Sequence, residues 1–331
     1  FVVFIMKTSF KLNFYIGIVE SLLFGSINLI YSFLYRVIVI IQIILLIMSL
    51  IVLGIPNIKN IYLFIIKRYE YINNLNFEIR GSITFFGLLL YFLFTRIFKI
   101  KNSYLKYSIY ISIILTTLNN PFLDISFIDV GQGDSILISL PFRQGNILID
   151  TGSSYNYYKL KKYLLKKSIY EIDYLIITHN DSDHNGNIKN LIKNFRVKEI
   201  IENGKDIVLN KIRLKNLFID NFDNDNDNSL VYWCEINNIS FLFTGDISSK
   251  AERKLLNKFG NIDVDVLKVP HHGSKNSYDE DFYSMVSPHF AVISYGKNNT
   301  YGHPHKIVTD ALEGRNTKIL KTGENGQVDI F

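Results

Sequence analysis

Uncharged apolar runs crowd the first 118 residues and stop abruptly after them. Val37 to Ile55 is 19 residues without a charge, close to the ~20 apolar residues a helix needs to cross a bilayer core. Leu12 to Tyr35 is a second candidate span, interrupted by Glu20, and Gly81 to Thr95 and Tyr107 to Leu118 are shorter runs of the same character. Four such runs predict membrane helices over 1–118, not a cleaved signal peptide.

From Asn119 the pattern shortens. Strand-type runs are expected at Ile125–Val130, Ser135–Leu140, Asn146–Ile149, Tyr174–Thr178, Leu230–Glu235, Ser240–Phe243, Val264–Val269 and Phe290–Ser294. Helical spacing is expected over Tyr157–Lys167, Asn187–Phe195, Ser248–Phe259, Asp279–Val286 and His305–Gly314. Strands and helices mixed in this order predict a layered α/β sandwich over 119–331. Asn221–Asn228 begins like a calcium loop but lacks its sixth-position Gly and twelfth-position Glu, so it is expected to be a plain connection.

Charge divides the same way. The chain has 331 residues and a net charge of +6. Residues 1–118 carry 11 Lys and Arg against 3 Asp and Glu, whereas 119–331 carry 25 against 27. This is a basic apolar segment joined to a slightly acidic domain, not a basic nucleic-acid-binding globule. Arg96, Lys99, Lys101 and Lys106 would keep their loop cytoplasmic and put the C-terminal domain outside the membrane. Lys59, Lys67, Arg68 and Arg80 pull against that topology. The chain starts with Phe, so a missing or processed N-terminus is expected, and one cysteine excludes a disulfide framework.

The densest chemistry follows an apolar strand: Tyr174-Leu-Ile-Ile-Thr-His-Asn-Asp-Ser-Asp-His184 delivers His179, Asp181, Asp183 and His184 within six residues. Burying four such groups unpaired is costly, and a divalent cation removes the cost. Imidazole with carboxylate suits zinc or manganese. Two further apolar runs end similarly, in Thr244-Gly-Asp246 and in Pro270-His-His-Gly-Ser274. Three strand ends bearing ligand-type side chains point to one site at a sheet edge.

Together these motifs resemble the metallo-β-lactamase fold, an αββα sandwich, and more narrowly the C-terminal domain of the ComEC family of DNA-uptake proteins. Phe127-Ile-Asp-Val-Gly-Gln-Gly-Asp-Ser135, Leu148-Ile-Asp-Thr-Gly152, Asn226-Asp-Asn-Ser-Leu-Val231 and Tyr301-Gly-His-Pro-His305 carry the resemblance as well. Residues 1–118 resemble the last spans of that family's membrane domain by pattern. The resemblance implies that Asp183, His184, Asp246 and one of His271 and His272 hold one metal, with His179, Asp181 and a bridging Asp246 at a second. Asp181 stands where the wider superfamily more often has His, which favours manganese there. No His lies between His184 and His271, so the second site is ligand-poor, and His303 either completes it or acts on the leaving group. Asp183, His272 and His303 are the expected catalytic residues.

Asp129, Asp134 and Asp150 are expected to orient ligands by hydrogen bonds. Ser274, Lys275 and Ser277 are candidates to bind substrate phosphate. Trp233 and Cys234 are expected in the core and His289 at the surface. The implied function is membrane-anchored cleavage of DNA, degrading the strand that is not imported. Partners would be DNA, the membrane, further copies of the chain or other uptake proteins. Hydrolysis of a small phosphodiester or lactone, and a catalytically weak channel accessory, are the competing readings.

Overall fold

The computed structural model describes residues 26–28, 78–80, 93–102, isolated positions from 105 to 112, residue 120, and 122–330 apart from 218 and 220. Val37–Ile55 and most of the other three apolar runs lie outside the described residues. Among the described residues, no helix is long and apolar enough to cross a membrane. Ser26–Asn28 (β1), inside the second expected span, is a short strand paired antiparallel with Glu78–Arg80 (β2).

The second of two compact units, Asn119–Leu164 with Ile169–Phe331, is built on two mixed sheets. The first has six strands in the order β15-β3-β4-β5-β6-β7. Its members are Asp124–Phe127 (β3), Ile136–Ser139 (β4), Asn146–Ile149 (β5), Glu171–Ile176 (β6), Arg196–Ile201 (β7) and Val328–Ile330 (β15). The second has seven, β14-β13-β12-β11-β10-β9-β8. These are Ile207–Leu209 (β8), Ile212–Asn216 (β9), Tyr232–Ile236 (β10), Ile239–Phe243 (β11), Val266–Lys268 (β12), Phe290–Ile293 (β13) and Lys318–Lys321 (β14). The pairs β5–β6 and β6–β7, and β11 through β14, run parallel.

Alternation along each strand makes two buried faces. Ile136, Ile138, Ile147, Ile149 and Ile176 of the first sheet pack with Tyr232, Phe241, Phe243, Val266 and Val292 of the second in one core. Leu137, Leu148 and Leu175 alternate with them and are fully buried as well. Helices α1 (Tyr157–Lys166) and α3 (Ile188–Asn194) add the buried Leu160, Leu164 and Leu191. On the other side Leu242, Leu267, Ala291 and Ile293 pack under α4 (Ser249–Phe259), α5 (Glu280–Val286) and α6 (Lys306–Glu313). Asp279 caps α5 by accepting from Phe282 N–H at 3.1 Å. The layers run helix, sheet, sheet, helix.

Two short helices complete the set, α2 (Ser182–Asn185) and α7 (Thr322–Asn325). The five helices expected over 119–331 form within a residue or two of their predicted ends. Within this unit five strands, β7, β8, β9, β14 and β15, form where no strand run was expected. β7 (RVKEII) is a charged edge strand, mostly exposed on both faces. β15 exists through pairing with β3, about 200 residues earlier in the chain. Cys234 is fully buried, and Trp233 is half-buried beside the second core. His289 is exposed, next to Asp265.

Candidate metal centre

Parallel strands deliver their carboxyl ends to one edge, where α/β sheets ordinarily build sites. β6 runs through Ile177 and Thr178 to His179, and α2 then carries Asp183 and His184. β11 leads to Asp246, β12 to the His271–His272 pair, β5 to Asp150, and the β3–β4 loop to Asp134. Two glycines permit the approach. A Cβ on Gly133 (φ +111°) would lie 2.0 Å from Asp183 O, and one on Gly245 (φ +56°) would lie 2.7 Å from Ser229 Cβ.

Each central histidine has one nitrogen fixed and the other aimed inward. His184 Nδ1 donates to Asp150 Oδ2 at 2.8 Å. Asp150 is itself held, because its Oδ1 accepts from Thr178 N–H and its Oδ2 from Thr178 Oγ1, both at 2.8 Å. His272 Nδ1 donates to Ser294 O at 2.8 Å. His179 Nδ1 faces Thr178 Oγ1 at 3.0 Å and Ser229 Oγ at 3.3 Å. Ser229 Oγ also accepts from Asp246 N–H at 3.0 Å.

The inward nitrogens, Nε2 of His179, His184 and His272, are buried and have no hydrogen-bond partner; neither has Asp246 Oδ1. Asp246 Oδ2 lies 3.3 Å from His184 Nε2 and 3.2 Å from His272 Nε2. His272 Nε2 is also 3.4 Å from Asp183 Oδ2. Buried polar atoms are normally satisfied, so inward-facing donors crowded within 4.8 Å of one another fit a cation. Four donor groups meet the spacing: His179–His184–Asp246, Asp183–His184–His272, Asp134–Asp150–His184 and Asp134–Asp246–His272.

The charges agree. Burial works against ionisation of Asp246, yet His272 and His184 hold its carboxyl well below the usual range. Asp183 is likewise lowered by His272 and His184 against the effect of burial. Burial would depress His272, but Asp246 and Asp134 raise it to about 10, and Asp246 and Asp150 raise His184 in the same way. Burial and the neighbouring His184 lower His179.

The other expected residues are placed differently. Asp181 is half exposed, 3.6 Å from His179 Nε2, and outside all four donor groups. His271 lies 3.8 Å from Asp246 Oδ2 and is a quarter exposed. Of the pair, His272 is the one whose nitrogen enters the donor groups. His303 has its ring centroid 5.8 Å from His271 and 5.9 Å from His272, and burial beside them lowers it to about 4. Asp129 departs from its expected role. Its carboxylate is held by Lys159 Nζ at 2.9 and 3.0 Å and by Gly131 N–H, so it braces α1 against the first loop. Ser274 and Ser277 are buried, and Lys275 is exposed.

Lys268 escaped sequence reading. It is 1% exposed, its Nζ lies 2.5 Å from Asp134 Oδ2, 3.8 Å from Asp246 Oδ1, and bonds Gly245 O at 3.3 Å. The available signal was a lysine at an inward-facing position of an otherwise apolar strand. Thr178 and Ser229 were missed too, since hydroxyls carry no distinctive spacing.

Residues 128–231 match the metallo-beta-lactamase superfamily model. The chain is 33% identical to ComE operon protein 3 of Bacillus subtilis, covering 62% of this chain and 32% of that protein. It is 32% identical to Recombination protein 2 of Haemophilus influenzae (64% and 29%) and 30% identical to Competence protein ComA of Neisseria gonorrhoeae (61% and 31%). It therefore spans about a third of the length of these relatives. The chain is thus similar to these three proteins over about three fifths of its own length, and the stretch that matches the metallo-beta-lactamase superfamily model carries His179, Asp183 and His184.

Proposed function

We propose that the protein is a metal-dependent phosphodiesterase that cuts DNA at the edge formed by β6, β11 and β12, and that it acts at a membrane during DNA uptake. The observation that carries the reading is the convergence of the buried Nε2 atoms of His184 and His272 on the Asp246 carboxylate, with His179 in the same donor group as His184 and Asp246. The competence relatives support DNA as substrate. One or two zinc or manganese ions held there would supply Lewis acidity and an activated water.

The chain's own residues do the remainder. Asp150 and the Ser294 carbonyl keep His184 and His272 in the tautomer that presents Nε2 inward. Lys268 stays paired with Asp134, which fixes a positive charge beside Asp246. His303 enters the reaction neutral, so it can accept the proton that the attacking water loses and, with its proton affinity raised by the adjacent phosphate, pass it to the leaving oxygen. The apolar runs of 1–118 anchor the domain in the cell membrane, on its outer side, where the strand that is not imported is degraded. Further copies or other uptake proteins complete the channel.

A second reading, hydrolysis of a small phosphodiester or lactone, draws on the 25 basic against 27 acidic residues of 119–331, a poor balance for a polyanion. The two are separated by stripping the metal, reloading zinc, manganese or magnesium, and assaying single- and double-stranded DNA, bis(p-nitrophenyl) phosphate and a lactone together. The DNase reading predicts metal-dependent DNA cutting that Asp183→Ala abolishes. Turnover of the small esters alone would transfer the assignment. No turnover of any substrate by metal-loaded protein would contradict both.

A further inference from the structure

The mouth of the site is formed by two loops tied together where His305 N–H donates to Gly273 O at 2.8 Å. One loop carries His271 and His272, and the other runs from Gly296 to His305. Tyr301 stands on the second, 64% exposed. Its ring stacks on that of His303 with centroids 5.6 Å apart and planes inclined by 19°. His303 in turn neighbours both members of the histidine pair. The stack is set in advance by Asn299. Its Oδ1 accepts from Tyr301 N–H at 3.1 Å and from His303 N–H at 3.0 Å, and its Nδ2 donates to His303 O at 2.8 Å.

An aromatic ring backed by the His303 imidazole, otherwise open to solvent, thus lies beside the histidine pair of the candidate centre. Exposed lysines stand on or next to the same loops: Lys275, Lys297 and Lys306. Stacking faces flanked by cations are how proteins hold unpaired nucleic-acid strands. The grouping also offers local attraction in a domain whose overall charge gives none.

We propose that Tyr301 is a stacking platform for the nucleobase next to the scissile phosphate, so that the centre prefers an unpaired strand. This rests on the phosphodiesterase reading above. A base inside a duplex is stacked on its neighbours and must first be extruded before it can lie on Tyr301.

The test uses the metal-loaded full chain with a single-stranded oligonucleotide and an abasic strand of equal length. Binding anisotropy and cleavage kinetics are measured for wild type, Tyr301→Ala and Tyr301→Phe. The preference for the base-bearing strand is expected to fall about tenfold in Tyr301→Ala, through KM, and to be kept in Tyr301→Phe. An undiminished preference in Tyr301→Ala, or equal loss in Tyr301→Phe, would overturn the platform. If wild type cuts both strands equally well, the platform alone fails. If it cuts neither, the phosphodiesterase reading falls and takes the platform with it.

Discussion

Asp150 accepts the Nδ1 proton of His184 at 2.8 Å while its other oxygen holds Thr178 N–H. It sits at φ +60°, a left-handed conformation that Asp and Asn tolerate better than other side chains. The carboxylate therefore fixes which nitrogen of His184 faces the centre. Asp150→Asn keeps the backbone but removes the charge. It is expected to weaken metal affinity about 10- to 100-fold, measured by chelator competition, with an unaltered far-UV spectrum. Full affinity in a folded variant would show that Asp150 does not orient His184.

Lys268 and Asp134 form a buried ion pair. Lys268→Met strands the Asp134 carboxylate and should cost about 3–5 kcal/mol in urea unfolding of the metal-free protein. Adding Asp134→Asn should recover part of that loss. A double variant as unstable as the sum of the two single variants would mean the pair is not coupled.

Glu252 lies wholly buried in α4, where burial, with the Asp279 and Asp227 carboxylates nearby, raises it well above its usual range. A carboxyl with a raised folded-state pKa loses stability for the fold as pH climbs from about 4.5 upward. Glu252→Gln is expected to stabilise the protein by about 1–3 kcal/mol at pH 7, the gain vanishing below pH 4.5. A gain that persists at pH 4 would point to packing instead.

Proton and metal compete for the same imidazoles. His272 titrates at about 10 in the metal-free fold, against 6.5 as its ordinary value. The stability it contributes is full below pH 6.5 and is lost as pH rises toward 10. A bound cation displaces that proton, so metal affinity rises with pH. The difference in Tm between loaded and metal-free protein should widen between pH 6.5 and 9. Parallel Tm curves would argue that His272 is not a ligand.

The grouping of these donors was visible in the residue pattern because each follows an apolar run that ends in polar, ligand-type side chains. His179, Asp183, His184, Asp246 and His272 all stand after apolar runs that became β6, β11 and β12. What stayed hidden depends on contacts between distant segments. Asp129 looked like its neighbours on a Gly-rich loop, yet Lys159 on α1 takes its carboxylate. Asp181 alternates in sequence with residues of the donor groups, but it takes the N-cap position of α2 and is half exposed, outside those groups. Strands β14 and β15 owe their existence to neighbours that no local pattern announces.

The proposed chemistry needs a cation at one or more of the groups His179–His184–Asp246, Asp183–His184–His272 and Asp134–Asp246–His272. Calorimetric titration of the metal-stripped chain with zinc or manganese tests this most directly. Saturable binding with proton release is predicted, lost in Asp246→Ala and His184→Ala and retained in Asp181→Ala. Absence of binding, or binding that survives Asp246→Ala in a folded protein, would contradict it.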